Sequence, residues 1–249
     1  MTLHGTIEQL RALRLNGMIE SLDQQLADPS FLGIGFDQRL TMLVNAEVTY
    51  RDNKRYARIL KNAKLKFQAM PEDIDYRTGR GFDKAALADL LTCSWIEHRQ
   101  NLIMTGATGT GKTWLACALA VQAARRGITS AYRRTSRLLD EMTLGHADGS
   151  ISRQRSQLAK TDLLILDDFG LTTLSSEARS DLLELLDDRV GSTSTIILGQ
   201  MPTKEWHHYI NDPALADAIL DRVVHTSTKL DLKGESMRKI KAAAGKTKS

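Results

Sequence analysis

The spacing of the apolar residues changes about seventy residues into the chain. In the first part, apolar side chains recur three or four positions apart, as on one face of a helix, at Leu15, Met18, Ile19, Leu22 and Leu26. Further on, short runs are apolar at nearly every position and alternate with segments of helical spacing. Such runs are typical of strands covered on both faces. The pattern predicts an N-terminal helical domain over residues 1–70 and an α/β domain over 71–249.

Local signals set the expected limits of the N-terminal helices. Thr6 and Gln9 have the spacing of a capping box, which predicts that the first helix begins at Thr6. Asp28-Pro29 predicts a break, and Asp37 is the expected cap of a long helix beyond it. We place the domain boundary near Met70-Pro71.

The C-terminal part alternates strands and helices. The predicted strands cover residues 102–104, 130–134, 163–166 and 195–198, and the predicted helices cover 114–126, 136–144, 175–190 and 216–223. This alternation predicts a doubly wound α/β fold, with a parallel sheet flanked by helices. The polar stretch 149–155, which contains Arg153 and Arg155, predicts a solvated loop, with a place in a DNA-binding surface as the alternative.

The composition predicts a cytoplasmic protein that makes no membrane contact. The chain is 42% hydrophobic over 249 residues, but no apolar run approaches the roughly 20 residues of a membrane helix. The N-terminus carries Glu8 and polar residues where a secretory signal would be apolar. Cys93 and Cys117 are too few for a disulfide framework, so we expect both to be reduced and buried.

A complete phosphate-binding loop follows the first predicted strand. Its pattern is G-x-x-x-x-G-K-[ST], and we assign nucleotide binding to Gly106, Ala107, Thr108, Gly109, Thr110, Gly111, Lys112, Thr113 and Trp114. The glycines allow backbone N–H groups to point at phosphates, at the positive end of the following helix. We expect Lys112 to reach the β- and γ-phosphates and the Thr113 hydroxyl to ligate Mg²⁺. The motif therefore predicts binding of a nucleoside triphosphate, with ATP and Mg²⁺ as cofactors.

Two carboxylates end the predicted strand at 163–166, as in a Walker B motif. Parallel strands deliver their last residues to the edge of the sheet where ligands bind. We expect Asp167 to hold Mg²⁺, directly or through a water, and Asp168 to orient or deprotonate the attacking water. Gln200 follows the strand at 195–198, and there it could sense the γ-phosphate or position water.

Basic residues are concentrated in two segments, although the net charge is only +4. In the first segment, helical spacing places five cations on one face: Arg51, Lys54, Arg55, Arg58 and Lys61. The opposite face is apolar and consists of Tyr56, Ile59, Leu60 and Ala63. The second segment is the C-terminal tail, with Lys233, Arg238, Lys239, Lys241, Lys246 and Lys248.

Each basic segment has three interpretations. It could be a solvated face or tail, a nucleic-acid contact, or a contact with an anionic membrane surface. The apolar face of the helix is narrow, which disfavours the membrane. We assign the five cations of the helix to DNA binding as a hypothesis.

The motifs together resemble the AAA+ ATPases of the DnaC and IstB group, and most closely the IstB-like family, the ATPase helpers of bacterial insertion-sequence transposons. The similarity spans nearly the whole chain. Beyond the helical start and the phosphate-binding loop, it rests on residues 61–66, 73–76, 166–170 and 221–238.

This resemblance implies further roles. Gln200 stands at the sensor-one position, Arg222 at the arginine finger that completes a neighbouring subunit's site, and Arg238 at sensor two. Two residues depart from the wider AAA+ pattern, which has glutamate at the position of Asp168 and asparagine or threonine at that of Gln200. We therefore expect slow hydrolysis.

Three functions compete at this stage. The resemblance favours a transposition helper that assembles as a homo-oligomer on double-stranded DNA, remodels it and recruits its cognate transposase. A DnaC-like replicative helicase loader would instead favour single strands. A small-metabolite kinase would use the same nucleotide chemistry, but it would leave the two basic segments unexplained.

Overall fold

The structure is a computed structural model that describes residues 2–76, 81, 83–225 and 227–237. The chain divides into two compact units, Met1–Arg58 and Ile59–Ser249. None of the helices in the described part is both long and apolar enough to cross a bilayer.

The first unit is helical, as predicted. Its helices are α1 (Leu3–Ala12), α2 (Asn16–Ala27) and the first part of α3 (Phe36–Ala63), with a 3₁₀ helix at Pro29–Gly33. The predicted break at Asp28-Pro29 is confirmed. The buried Glu47 of α3 accepts hydrogen bonds from the backbone N–H groups of Gly17 and Met18, at 2.8 and 3.2 Å. This carboxylate satisfies donors in the first turn of α2, where no N-cap side chain does so.

Both predicted helix caps in this unit are wrong. Thr2 caps α1 by accepting a hydrogen bond from Gly5 N at 3.4 Å, so Thr6 lies inside the helix. The Thr6 hydroxyl donates to the Thr2 carbonyl instead of capping. α3 begins at Phe36, which places Asp37 within its first turn. α1 begins three residues before Thr6 and α3 begins one residue before Asp37, because residues that can cap a helix also occur inside its first turn.

The second unit is built on a parallel five-stranded sheet in the order β2-β3-β4-β1-β5. The strands are β1 (Asn101–Gly106), β2 (Ser130–Arg134), β3 (Leu163–Phe169), β4 (Ser194–Gly199) and β5 (Ser227–Leu232). The helices are α4 (Lys84–Leu91), α5 (Ser94–Glu97), α6 (Lys112–Arg125), α7 (Thr135–Asp148), α8 (Ile151–Ala159), α9 (Ser176–Asp187), α10 (Trp206–Ile210) and α11 (Pro213–Val224). Short 3₁₀ helices lie at Pro71–Asp73 and Thr203–Glu205.

The sheet has an apolar core on each face. In β1, Leu102 and Met104 belong to the core that contains α6, whereas Ile103 belongs to the core that contains α7, α9 and α11. In β3, Ile165 and Leu166 divide between the two cores in the same way. Because successive strand residues point to opposite faces, a run apolar at every position fits a strand covered on both sides. The predicted α/β class with helices on both faces is confirmed.

One segment was predicted with the wrong structure. Residues 151–159 form α8, where a solvated loop was expected. Leu158 is buried in the core, and Ile151, one heptad earlier, packs against the same core. Arg155 forms an ion pair with Glu184 of α9 and lies 3.7 Å from Asp188. Only two residues of this helix, Ile151 and Leu158, give an apolar signal in the sequence. Because the other residues are mostly polar, the segment was predicted as a loop.

The fifth strand, β5, was not predicted from the sequence. Its residues Ser-Thr-Lys-Leu-Asp-Leu bury only the side chains of Leu230 and Leu232. It pairs with β1 at the edge of the sheet, and its end lies beside Gly106. Cys93 and Cys117 are free and buried, as expected.

Candidate nucleotide-binding site

The phosphate-binding loop connects β1 to α6 at the carboxyl edge of the sheet. Gly106, Gly109 and Gly111 have φ values of +139°, +89° and +97°, a region that L side chains rarely adopt. α6 begins at Lys112, directly after the last glycine, so the loop lies at the N-terminus of a 14-residue helix. Backbone N–H groups at that end have no partners within the helix and favour an anion.

The segment after β5 packs on this loop. A Cβ atom at Gly106 would lie 2.1 Å from the Leu232 carbonyl oxygen, and one at Gly109 would lie 2.3 Å from Ser236 Oγ. The backbone N–H of Met237 donates to the Gly109 carbonyl at 2.9 Å. The glycines are therefore required both for their backbone conformation and for the close approach of residues 232–237.

The side chain of Lys112 lies against its own loop. Its Nζ donates to the carbonyls of Gly106 and Ala107, at 2.6 and 2.9 Å. Burial lowers the pKa of Lys112, and the nearby carboxylates of Asp167 and Asp168 oppose that shift. The ammonium is thus held beside the N-terminus of α6, where the phosphates of a nucleotide would be bound.

Asp167 is the most buried carboxylate of the site, with a side-chain exposure of 3%. Thr113 Oγ1 lies 3.1 Å from both of its oxygens, and the Asp168 backbone N–H donates to Oδ1 at 2.9 Å. Tyr132 donates its hydroxyl to Oδ2 at 2.6 Å, and Lys66 Nζ lies 3.3 Å from the same oxygen. Carboxylate and hydroxyl oxygens are the ligands that Mg²⁺ prefers, so Thr113 and Asp167 could hold it between them.

Tyr132 and Lys66 were not predicted as part of the site. Tyr132 lies on β2, which neighbours β3, and burial together with its bond to Asp167 raises the pKa of the phenol. Lys66 lies three residues after the end of α3. Lys66 lies in the segment 61–66 that contributes to the family resemblance, but no local motif assigns either residue to the site. The strand order and the path of the chain bring them to Asp167.

Asp168 is held in an unusual backbone conformation. Its φ is +60°, and it lies where the pairing of β3 with β4 shifts register between Leu166 and Phe169. Its Oδ2 accepts a hydrogen bond from Arg134 Nε, at the end of β2, at 3.0 Å. Its side chain is 26% exposed, and it lines the same cavity as the more deeply buried Asp167. Sequence reasoning missed Arg134 for the same reason as Tyr132.

These groups line one cavity of about 720 Å³. Its lining includes the predicted residues Thr108, Gly109, Gly111, Lys112, Thr113, Trp114, Asp167, Asp168 and Gln200. The rest of the wall consists of Lys66, Phe67, Gln68, Asp73, Asp75, Leu171, Leu198, Gly199 and Met237. Ligand cavities usually measure about 300–1,000 Å³, so this one has the size of a nucleotide site. Gly106, Ala107 and Thr110 form the backbone of the same loop.

Arg222 lies away from this cavity. The Asn101 side chain, at the start of β1, donates to the Arg222 carbonyl at 3.4 Å, whereas the phosphate-binding loop follows the end of β1. Arg222 lines a different cavity, of about 610 Å³, with Arg189 and His98. Its guanidinium pairs with Asp187. The other predicted arginine, Arg238, lies outside the described residues.

The predicted basic face of α3 is exposed along its length. All five cations are exposed: Arg51, Lys54, Arg55, Arg58 and Lys61. Ile59 and Ala63 on the opposite face are buried, and Tyr56 and Leu60 are partly buried. Arg51 pairs with Glu47, and Lys54 Nζ lies 5.6 Å from the centre of the Tyr50 ring. In the tail, residues 238–249 lie outside the described part of the chain, and Lys233 is exposed.

Comparison with solved structures identifies the fold. DnaI superposes with a TM-score of 0.59 and 19% identity, covering 67% of this chain and 92% of DnaI. The DnaC helicase loader superposes with a TM-score of 0.57 and 19% identity, covering 69% of this chain and 100% of that structure. The second unit therefore has the AAA+ P-loop fold.

Comparison with known sequences identifies the family. A profile described as IstB-like ATP binding protein matches residues 8–244. The chain is 50% identical over 204 residues to an ATP-binding protein of insertion sequence IS1162 from Pseudomonas fluorescens, covering 82% of this chain and 88% of the relative. It is 41% identical over 239 residues to the insertion sequence ATP-binding protein y4pL of Sinorhizobium fredii, covering 96% and 98%. The chain belongs to the family of IstB-like ATP binding proteins.

Proposed function

We propose that this protein is an Mg²⁺-dependent ATPase that assembles on duplex target DNA and recruits or activates the transposase of its insertion sequence. The observation that carries the proposal is the arrangement of Lys112, Thr113 and Asp167 around one cavity at the N-terminus of α6. Membership in a family of insertion-sequence ATP-binding proteins supplies the biological setting.

Each residue of the site has a distinct chemical task. The loop N–H groups and Lys112 bind the phosphates, and Thr113 with Asp167 holds the metal. When bound, Mg²⁺ neutralises the charge that develops on the β- and γ-phosphates. Asp168 orients the attacking water or accepts its proton, because its carboxylate reaches the cavity. Gln200 follows β4 on the cavity wall, where it contacts the γ-phosphate or the water.

Hydrolysis requires a second subunit in this proposal. Arg222 lies near the start of β1, and the phosphate-binding loop lies past its end, so Arg222 cannot serve the site of its own subunit. An arginine supplied by a neighbour stabilises the charge of the transition state only after the oligomer has formed. By the family resemblance, Arg238 acts as sensor two.

Double-stranded DNA is the proposed activator of assembly. The five exposed cations of α3 form a regular basic face, which suits contacts to phosphates with little sequence preference. The ATP-bound oligomer bends or wraps the duplex, and the transposase recognises that complex. Hydrolysis then resets the assembly.

Sedimentation velocity tests this proposal. The protein is measured with duplex DNA, single-stranded DNA or no DNA, each with a non-hydrolysable ATP analogue or with ADP. We expect large assemblies only with duplex DNA and the ATP analogue. Assemblies that form equally with ADP, or without DNA, would contradict the proposal.

A replicative helicase loader is the second candidate, since the fold superposes on the DnaC helicase loader. The same experiment separates the two functions, because a loader would assemble on single strands. Indifference to every DNA would instead favour a kinase that acts on a small metabolite.

A further inference from the structure

The ammonium of Lys66 lies in the position where a cation can pair with the metal-binding carboxylate. Its Nζ is 3.3 Å from Asp167 Oδ2, and the Lys66 side chain is 35% exposed whereas that of Asp167 is 3% exposed. The contact spans 101 residues of sequence. Lys66 therefore reaches the carboxylate from the cavity side.

Asp167 requires a positive partner in the absence of nucleotide. A buried carboxylate is costly unless it is paired and hydrogen-bonded. Thr113 and Tyr132 provide hydrogen bonds but no charge. Lys112 acts on Asp167 through its charge, but it gives its hydrogen bonds to the carbonyls of its own loop. Within the described ranges, Lys66 is the one cation within 4 Å of Asp167.

The backbone around Lys66 is fixed, whereas its side chain is not. Ala63 and Ala69 have no exposed surface, and Leu65 packs against the core of α6. The backbone of Lys66 and Phe67 lies near the thiol of Cys117, in the middle of α6. A lysine has a flexible four-carbon stem with rotatable donors, so the ammonium can move while the backbone stays in place.

We propose that Lys66 is a positioning residue that neutralises Asp167 in the nucleotide-free protein and transfers to the phosphates when Mg²⁺–nucleotide binds. The inference rests on the proposed Mg²⁺–ATP site. A divalent cation on Asp167 repels an ammonium 3.3 Å from the same carboxylate. The phosphates attract that ammonium, and Lys66 lines the same cavity as Lys112 and Gln200.

The movement of Lys66 from Asp167 to the phosphates has two chemical consequences. Lys66 balances the charge of the Asp167 carboxylate and holds it in place before the nucleotide arrives, so the metal site is preformed. It also adds a second lysine to the phosphate site, and the sequence motif does not include it. Removing its charge should therefore affect the protein both without nucleotide and with it.

The test compares full-length Lys66→Met and Lys66→Gln with wild type and with Lys160→Met. Lys160 is an exposed lysine at the end of α8, and it does not line the cavity. The first measurement is the unfolding temperature in EDTA and in MgCl₂ alone, without nucleotide. The second is the affinity for a fluorescent non-hydrolysable ATP analogue in MgCl₂.

We expect Lys66→Met to unfold at a lower temperature in EDTA, and MgCl₂ alone to restore most of that loss. Wild type and Lys160→Met should respond little to MgCl₂ alone. The affinity of Lys66→Met for the analogue in MgCl₂ should fall about tenfold, the effect of one lost charge-assisted hydrogen bond of roughly 1.4 kcal/mol.

Two results would overturn the inference. One is a Lys66→Met protein whose unfolding temperature in EDTA equals that of wild type. The other is a lower unfolding temperature that MgCl₂ does not restore, which would assign Lys66 to packing alone. Lys66→Gln keeps the size and a donor, so it decides the question if Lys66→Met does not fold. Neither measurement depends on hydrolysis or on DNA. A result that contradicts the role of Lys66 can therefore be distinguished from a result that contradicts the proposed function.

Discussion

Arg222 Nε donates to Asp187 Oδ1 at 2.6 Å, which connects the last turn of α11 to the last residue of α9. The side chains are 30% and 59% exposed, so the pair lies at the surface. A second bond joins the Arg222 guanidinium to the Ala218 carbonyl at 3.0 Å. The arginine is thus held in a defined orientation on a face remote from its own phosphate-binding loop.

Replacing Arg222 separates binding from hydrolysis. We expect Arg222→Ala to bind the ATP analogue with wild-type affinity and to lose at least ~10³-fold in steady-state hydrolysis with duplex DNA, the range found for arginines supplied in trans. Arg137→Ala removes an exposed arginine of α7 and serves as the control. Normal turnover in Arg222→Ala would refute the assignment.

Removing Asp187 should ease assembly. If Arg222 leaves Asp187 to enter a neighbour's site, each subunit loses one exposed ion pair, worth up to about 1 kcal/mol. We expect Asp187→Ala to assemble on duplex DNA at a protein concentration up to about fivefold lower, measured by light scattering. Weaker assembly would mean that Asp187 positions Arg222 for the interface.

Lys112 and Asp168 should affect different steps. Lys112→Ala removes a cation at the phosphate position, so we expect it to lose measurable analogue binding. Asp168→Asn keeps the size of the side chain but removes its basicity. We expect it to bind normally and to lose about 10²–10⁴ in the single-turnover rate. Equal loss of binding in both variants would argue against a role for Asp168 in positioning water.

The two reasons for glycine at position 109 can be separated with a matched control. Gly109 and Gly149 both have a positive φ, of +89° and +76°. A Cβ at Gly109 would contact Ser236, whereas nothing lies within 4 Å of one at Gly149. We expect each alanine variant to lose about 1–2 kcal/mol of unfolding free energy from backbone strain.

Only Gly109→Ala should also reduce affinity for the ATP analogue. That variant displaces residues 236–237 from the phosphate-binding loop, whereas Gly149→Ala does not touch it. Chemical denaturation and fluorescence titration of both variants measure these effects. Equal affinities would indicate that the loop tolerates movement of that segment.

Binding to duplex DNA should depend steeply on salt if α3 contacts phosphates. Each phosphate contact that is removed reduces the slope of log K against log[salt] by about 0.9. We expect the double variant Lys54→Ala, Arg58→Ala to reduce the slope by about two, as measured by fluorescence anisotropy. The matched double variant Lys160→Ala, Lys204→Ala changes two exposed lysines elsewhere and should leave it unchanged. An unchanged slope in both proteins would remove α3 from the interface.

The parts of the site that lie in contiguous motifs were predictable from the sequence. The loop from Gly106 to Thr113 and the pair Asp167-Asp168 each follow an apolar strand, and the parallel sheet brings them to one edge. The limits of β2 were predicted to the residue. These predictions succeeded because strand periodicity and loop chemistry are local properties of the chain.

The rest of the site depends on spatial order. Tyr132 and Arg134 reach the two aspartates because β2 lies next to β3, and no local pattern specifies that neighbour. Lys66 reaches Asp167 across 101 residues. Ser236 contacts Gly109 because it follows β5, a mostly polar edge strand that ends beside the phosphate-binding loop. Each of these residues looks like an ordinary surface residue in the sequence.

The packing of residues 232–237 on the phosphate-binding loop bears on how copies of an insertion sequence decay. A frameshift that replaces this segment would leave the phosphate-binding loop and the Asp167-Asp168 pair intact in the gene. The encoded protein would nevertheless lose the backbone that confines Gly106 and Gly109. In a genome, an intact nucleotide-binding signature is therefore insufficient to mark a working copy, and the reading frame must continue through codon 237.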